Sequence, residues 1–267
     1  MRGAADMGRK YVFFDIDHTL VSYAGEKHIP PETREAVRRL REAGHVPAIA
    51  TGRGEFLSRR VANELDIGLL VCANGGHIFN GDAELYSAWL PEGALAALRE
   101  TTARFPGETA ALGERYIYMD AANPEWERYF TFQAGYPCLR PLAEMTRALM
   151  GYLMMPPEEA AKGDYGLFSE PPEGVRLEFM HGFVEARPAG TTKWRGIELA
   201  ARHLGAGTED VVTFGDGVND VEMLRNAPVS VAVGRSDPQA KEAASLVTDD
   251  IDAGGILKAC LELGLIR

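Results

Sequence analysis

The stretch that most constrains the fold is Tyr11–Leu20, which reads Tyr-Val-Phe-Phe-Asp-Ile-Asp-His-Thr-Leu. Its first four residues are large and apolar, too few for a helix and without alternation, so they predict a strand buried on both faces of a parallel sheet. Asp15 follows directly. A carboxylate cannot stay unpaired in a core, so Asp15 should emerge at the carboxyl end of the strand, where open α/β sheets form their ligand crevices. Asp17 can turn toward the same crevice.

Net charge and composition limit the kinds of molecule that the protein is expected to bind. The formal charge of −11 argues against a nucleic acid or an anionic membrane, and it allows a small anionic substrate where a metal ion and a few cations reverse the local sign. Three distant cysteines favour reduced thiols in a cytoplasm. The apolar run near the start is too short for a signal peptide or a membrane span, and we expect residues 1–10 to be a disordered leader. Nothing in the sequence indicates an oligomeric state.

Strand and helix patterns alternate in two separated regions of the chain. Helical spacing or helix boundary residues occur at 30–43, 55–65, 193–204, 218–225, 239–244 and 256–263. Short, mostly apolar runs that predict strands occur at 46–50, 69–73, 211–214 and 229–233. This order is typical of βαβ units. It predicts an α/β fold with a Rossmann-like parallel sheet and helices on both of its faces.

The pattern between these regions is different. Asn80-Gly81 favours a tight turn in a hairpin near 77–86, helices are predicted at 95–105 and 142–155, a strand at 116–119, and a second hairpin at 175–186. Strands joined by short turns indicate an antiparallel layer. We therefore expect an inserted α+β cap domain at 82–187 and a core domain formed by 11–81 and 188–267.

Polar residues follow the predicted parallel strands. Thr51 ends the second strand, and Asp216, Asn219 and Asp220 follow the run at 211–214. The carboxyl ends of parallel strands share one edge, so these residues should meet Asp15 and Asp17 in one crevice. Each pair of carboxylates would repel by about 4 kcal/mol at ~4 Å and an effective dielectric of about 20.

A cation is therefore expected among the carboxylates. Magnesium suits this set, because it takes one or two carboxylates together with water and phosphate oxygens. Asp15 and Asp216 are the predicted ligands, with the backbone carbonyl of Asp17 as a further one. Lys193, at a predicted helix start, would supply a second cation, and the helix dipole there also favours an anion.

Four ordered motifs together resemble a known family. They are Asp-Ile-Asp-His-Thr-Leu at 15–20, Thr-Gly-Arg at 51–53, Gly-Thr-Thr-Lys at 190–193 and Gly-Asp-Gly-Val-Asn-Asp at 215–220. The set resembles the haloacid dehalogenase superfamily, and the insertion is similar to the cap of its Cof-like sugar-phosphatase branch.

The resemblance implies roles for individual residues. Asp15 would be the nucleophile that becomes an aspartyl phosphate, and Asp17 the acid and then the base, a role that requires a raised pKa. Thr51 would bind the phosphoryl group, Lys193 would offset negative charge, and the metal group would consist of Asp15, Asp17, Asp216 and Asp220.

The resemblance also implies that Asn219 lies near the phosphate. Weaker candidates for contact with substrate are Gly52, Arg53, Asn74 and Gly75 on loops of the same edge, although ordinary capping would also explain Arg53 and Asn74. The chain departs from the family at His18, where glycine is usual. The histidine is either a tolerated exposed side chain or a contact to phosphate or cap.

We therefore expect a magnesium-dependent phosphatase that acts on a small phosphorylated metabolite such as a sugar phosphate, with a cap that closes over the substrate. Two alternatives stay open. A phosphomutase would return the phosphate to the sugar, so release of free phosphate without an isomerised product would exclude it. A non-catalytic protein would bind phosphometabolites without releasing phosphate.

Overall fold

The computed structural model describes residues 8–102, 108–120, 124, 128, 139–154, 171–180 and 183–267. Most of the leader predicted at 1–10 lies outside these residues, as do the end of the helix predicted at 95–105 and the turn of the second hairpin. Cys72 and Cys260 are buried and neither forms a disulfide with another described residue, and Cys138 lies outside the described ranges.

Strands and helices alternate along much of the described chain. In chain order, the strands are β1 Tyr11–Phe14, β2 Val46–Ala50, β3 Leu69–Cys72, β4 His77–Asn80, β5 Ala83–Ser87, β6 Glu108–Leu112, β7 Ile117–Met119, β8 Leu139–Arg140, β9 Met150–Met154, β10 Val175–Met180, β11 Phe183–Pro188, β12 Val211–Gly215, β13 Val229–Val233 and β14 Leu246–Thr248. The helices are α1 Pro31–Glu42, α2 Glu55–Leu65, α3 Ala94–Thr102, α4 Lys193–His203, α5 Val221–Asn226, α6 Pro238–Ala243 and α7 Gly255–Glu262.

A mostly parallel sheet has the strand order β14-β13-β12-β1-β2-β3-β4-β5 within the described chain. β1 lies between β12 and β2 and is parallel to both, with Phe14 in register with Phe214 and Ile49. β4 is antiparallel to β3, and the turn at Gly81 joins it to β5, as the predicted hairpin requires. The expected α/β class is confirmed.

Burial explains the central place of β1. All four of its side chains are buried, and the Phe14 and Phe214 rings stack with their centroids 4.8 Å apart. Helix α1 begins with proline, which suits a first helical turn, and its buried Ala36, Val37 and Leu40 join the same apolar cluster. Because β1 has neighbours on both edges and both faces, the chain can leave the core only at the two ends of this strand. Asp15 follows at its carboxyl end.

A second sheet has the order β10-β11-β9-β6-β7-β8 in the part of the chain that is described. Its neighbours are antiparallel except for β7 and β8, which are parallel. One apolar cluster contains Leu98 of α3 together with Leu153, Val184 and Ala186. The predicted antiparallel layer is present, and the predicted hairpin at 175–186 corresponds to β10 and β11.

The helix predicted at 142–155 is wrong. A short 3₁₀ turn forms at Leu142–Glu144, and β9 follows it, paired with both β6 and β11. All five residues of β9 are buried, so the run of methionine and leucine reflects a middle strand covered on both faces. Pairing and burial outweigh the helical preference of these residues.

The chain forms two compact units. The first contains the described residues up to Arg53, Ser58–Leu85 and Thr192–Arg267, and the second contains Gly54–Leu57 and the described part of Tyr86–Thr191. All side chains of the site described below belong to the first unit. That the second unit acts as a cap stays a prediction.

Candidate active site

A buried ion-pair cluster lies at the carboxyl end of β1. The Lys193 ammonium donates to Asp15 Oδ1 at 2.7 Å and to Asp220 Oδ1 at 2.6 Å. The side chains of Lys193 and Asp220 are fully buried, and that of Asp15 is 9% exposed. Residues 178 positions apart thus meet at one edge of the sheet, as the strand-end argument predicts.

Asp216 adds a third carboxylate to this cluster. One carboxylate oxygen from each of Asp15, Asp216 and Asp220 lies within 4.8 Å of the other two. Thr19 donates a hydrogen bond to Asp216 Oδ1 at 2.8 Å. Three acids therefore lie close together, and one ammonium group contacts two of them.

The local sequence explains how Asp220 reaches this position. A Cβ at residue 215 would lie 2.6 Å from the Asp220 carboxyl carbon, so Gly215 provides the space for that side chain. The backbone N–H groups of Asp216 and Gly217 donate to Asp220 Oδ2 at 3.0 and 2.9 Å. The Gly-Asp-Gly turn thus folds around the Asp220 carboxylate.

Lys193 is the first residue of α4, as the sequence predicts. Thr192 precedes it with extended backbone angles, and its hydroxyl accepts a hydrogen bond from the Arg195 N–H at 3.1 Å. This is an N-cap, which fixes where the helix begins. The Thr192 N-cap therefore fixes the point from which the Lys193 side chain extends to Asp15.

The Thr51–Arg53 loop and the turn after β3 lie at the same edge of the sheet and are joined by hydrogen bonds. The Asn74 N–H donates to the Thr51 carbonyl at 3.0 Å, and Asn219 Nδ2 donates to Asn74 Oδ1 at 3.2 Å. A Cβ on Gly75 would lie 2.0 Å from the Thr192 carbonyl oxygen, and one on Gly52 would lie 3.2 Å from the Asn74 amide. Because Gly75 has no Cβ, the backbone of the turn after β3 can lie close to the start of α4.

Asp17 has different partners from the ones predicted. Arg53 Nε donates to Asp17 Oδ2 at 2.8 Å, and Arg53 Nη2 and the Tyr23 hydroxyl both contact Asp17 Oδ1. Burial alone would raise the pKa of Asp17, but the hydrogen bonds and charge of Arg53, aided by Tyr23, outweigh burial and lower it. The expectation of a raised pKa is therefore wrong for this state of the protein.

Two further predictions about this loop are affected. The Asp17 carboxylate is not part of the three-acid group, so only its backbone carbonyl stays a predicted metal ligand. His18 is exposed and has a φ of +58°, the left-handed region that glycine adopts most easily. Its ring packs against Tyr23 with the centroids 4.8 Å apart.

The electrostatics of the three-acid group favour a bound cation. Burial, opposed by Lys193 and reinforced by Asp220 and Asp17, raises the pKa of Asp15 to about 7. Burial, reinforced by Asp15 and Asp220, raises the pKa of Asp216 to about 8. The single Lys193 ammonium thus does not neutralise the charge of the three carboxylates. Hard oxygen ligands of this type suit a divalent cation such as Mg²⁺.

Comparison with known proteins identifies the family. The haloacid dehalogenase-like hydrolase family matches residues 12–260. A Bacillus subtilis protein provisionally named phosphatase YkrA is 30% identical over 263 residues, which cover 98% of this chain and 100% of that one.

Two solved structures also match almost the whole chain. A Geobacillus kaustophilus protein of 30% identity has a TM-score of 0.81, with 97% of this chain and 100% of the other covered. A sugar phosphatase of haloacid dehalogenase subclass IIB has 28% identity and a TM-score of 0.84, with 96% and 100% covered.

The chain belongs to the haloacid dehalogenase-like hydrolase family. The Cof-like branch and the phosphatase class expected from the sequence are confirmed. Over the described ranges, no helix combines the length and the apolar character needed to cross a membrane.

Sequence reasoning missed two residues of the site. Thr19, which contacts Asp216, belongs to the Asp-x-Asp-x-Thr motif, so its place in that motif was the available signal. Tyr23 lies outside every motif and follows an irregular turn, so no sequence pattern points to its contact with Asp17.

Proposed function

We propose that the protein is a magnesium-dependent phosphatase that hydrolyses a small phosphorylated metabolite, a sugar phosphate, through an aspartyl-phosphate intermediate. The observation that carries the proposal is the buried Asp15 carboxylate, 2.7 Å from the Lys193 ammonium and grouped with Asp216 and Asp220. A buried carboxylate beside a cation, at the edge where α/β sheets bind ligands, suits attack on a phosphate ester.

The first step is attack on phosphorus. Lys193 contacts Asp15 Oδ1, which leaves Asp15 Oδ2 to form the new bond to phosphorus while the bond from phosphorus to the alcohol oxygen breaks. Lys193 offsets the negative charge of nucleophile and phosphate. Thr51, Asn219 and the backbone around Gly52 and Gly75 would hold the phosphoryl oxygens.

Asp17 would act as the general acid in the first step and as the general base in the second. It gives a proton to the departing alcohol oxygen, and it then takes one from the water that attacks the aspartyl phosphate and restores Asp15. Paired with Arg53, Asp17 is ionised before substrate arrives. The negative charge of an entering phosphate would raise its pKa, which favours uptake of the proton that the first step requires.

Magnesium would be held by Asp15 and Asp216, with Asp220 and the Asp17 carbonyl nearby. The donor set supports this choice, because carboxylate and carbonyl oxygens are the ligands that Mg²⁺ prefers. When bound, the ion would supply the positive charge that neutralises the three acids and the phosphate. A sugar phosphate is favoured because a structural relative at 28% identity is a sugar phosphatase.

A phosphate-release screen tests the proposal. Wild-type protein, Asp15→Asn and the exposed-site control Asp249→Asn are each assayed against a panel of phosphorylated metabolites, with Mg²⁺ or with EDTA. We expect sugar phosphates to be hydrolysed by the wild type and by the control with Mg²⁺ only, and by Asp15→Asn not at all.

Other outcomes of the screen are equally informative. Isomerised sugar phosphate without free phosphate would indicate a phosphomutase. Equal release with EDTA, or comparable release by Asp15→Asn, would contradict the proposed metal or the proposed nucleophile.

A further inference from the structure

The Asp17 carboxylate is held by a closed triangle of hydrogen bonds that includes a residue outside every motif. The Tyr23 hydroxyl donates to Asp17 Oδ1 and accepts from Arg53 Nη2 at 2.7 Å, while Arg53 also donates to both oxygens of Asp17. Tyr23 therefore joins the acid and its cationic partner. Removal of its hydroxyl would leave Arg53 as the remaining partner in this triangle.

Tyr23 is itself firmly placed. Its ring packs against the main apolar cluster and against the His18 ring on the neighbouring turn. The backbone beside it is fixed because Ser22 and His28 exchange hydrogen bonds of 2.8 and 3.2 Å. The hydroxyl thus extends from a rigid support, unlike the end of a long arginine side chain.

The triangle also distinguishes the two oxygens of Asp17. Oδ1 contacts two donors, Arg53 Nη2 and Tyr23, while Oδ2 contacts Arg53 Nε. A carboxylate oxygen has two lone pairs, so Oδ1 is saturated and Oδ2 keeps a position for a proton.

We infer that Tyr23 is a positioning residue that orients Asp17 so that Oδ2 carries the proton delivered to the leaving oxygen. This inference rests on the proposed role of Asp17 as acid. General acid catalysis requires the acid within hydrogen-bond reach of the accepting oxygen, and a small displacement costs much of its benefit. His18 supports Tyr23, which gives this unusual residue a structural role.

The test compares two esters whose alcohols differ in their need for a proton. Benzyl alcohol leaves poorly without protonation, whereas 4-nitrophenolate leaves readily as an anion. Wild type, Tyr23→Phe and the control Tyr11→Phe, at the opposite end of β1, are assayed with benzyl phosphate and 4-nitrophenyl phosphate in Mg²⁺. The values of kcat/KM are compared, because they cover the steps up to alcohol release.

We expect Tyr23→Phe to lower kcat/KM about tenfold for benzyl phosphate and less than about twofold for 4-nitrophenyl phosphate. Tyr11→Phe should change neither value. A melting temperature within a few degrees of wild type would show that Tyr23→Phe folds.

An equal loss for both esters, or no loss for either, would overturn the positioning role. Absence of phosphate release by the wild type from both esters and from the metabolite panel would instead refute the proposed function, and the inference would fall with it. Activity of the wild type on the panel therefore separates the two failures.

Discussion

Replacement of Lys193 by methionine tests the electrostatic design of the site. Methionine keeps much of the length and apolar character of the lysine stem but removes the ammonium group. That group contacts Asp15 at 2.7 Å and Asp220 at 2.6 Å, and its side chain has no exposed surface. The substitution therefore leaves two buried carboxylates without their shared cation.

The expected loss follows from burial and distance. At about 2.7 Å and an effective dielectric of about 20, each pair attracts by roughly 6 kcal/mol before the cost of desolvation. Removal of one partner from a buried pair costs about 3–5 kcal/mol net. We expect Lys193→Met to lower the free energy of unfolding by about 4 kcal/mol at neutral pH, and Lys193→Met/Asp220→Asn to lose less, because one charge is also removed.

Urea unfolding in EDTA, followed by circular dichroism, measures these losses. Lys258→Met is the matched control, since Lys258 pairs with Asp249 at 2.5 Å while both side chains are more than half exposed. Exposed pairs contribute little, so this control should change stability by less than about 1 kcal/mol. A Lys193→Met protein as stable as the control, or a double variant less stable than the single one, would refute the reasoning.

Two further predictions concern packing and pH. Gly75→Ala should lower the free energy of unfolding, measured in urea, by about 3 kcal/mol, and Gly44→Ala should lower it by about 1 kcal/mol. Both residues have a positive φ, but of the two only Gly75 has a position where an added Cβ would lie 2.0 Å from a carbonyl oxygen. Equal losses in the two variants would contradict this reasoning. Burial lowers the pKa of His45 below its ordinary 6.5, although its bond to the Leu265 carbonyl acts in the opposite direction. The neutral His45 ring therefore contributes to the free energy of unfolding above pH 6.5, and this contribution is lost as pH falls through the lowered pKa. His45→Gln should accordingly reduce the loss of stability between about pH 7 and about pH 5. An unchanged dependence of the free energy of unfolding on pH would exclude this assignment to His45.

The strand-end logic made much of the site predictable. Asp15 follows a short, continuous apolar run, and Asp216 follows a short, mostly apolar one. Such runs indicate both the strand and the point where it leaves the core. Lys193 follows a threonine that can cap a helix, so its place at a helix start was visible. These signals are local, and sheet topology then brings the residues together.

The errors arose where distant contacts decide the structure. The partners of Asp17 depend on the path of an irregular loop that brings Tyr23 back to it, and no periodic pattern describes such a path. The run at Met150–Met154 is mostly apolar and contains no charged residue, which fits a buried helix and a buried strand equally. Only its pairing with β6 and β11 distinguishes them.

The central claim is that Asp15 becomes phosphorylated in a cation-dependent reaction. The most direct measurement is an acid quench of turning-over enzyme, reduction of the acyl phosphate with borohydride, and mass analysis of the peptide that contains residue 15. We predict conversion of Asp15 to homoserine in the presence of Mg²⁺ and substrate, and none with EDTA or in Asp15→Asn. Rapid phosphate release with Asp15 unmodified at every quench time would contradict the account.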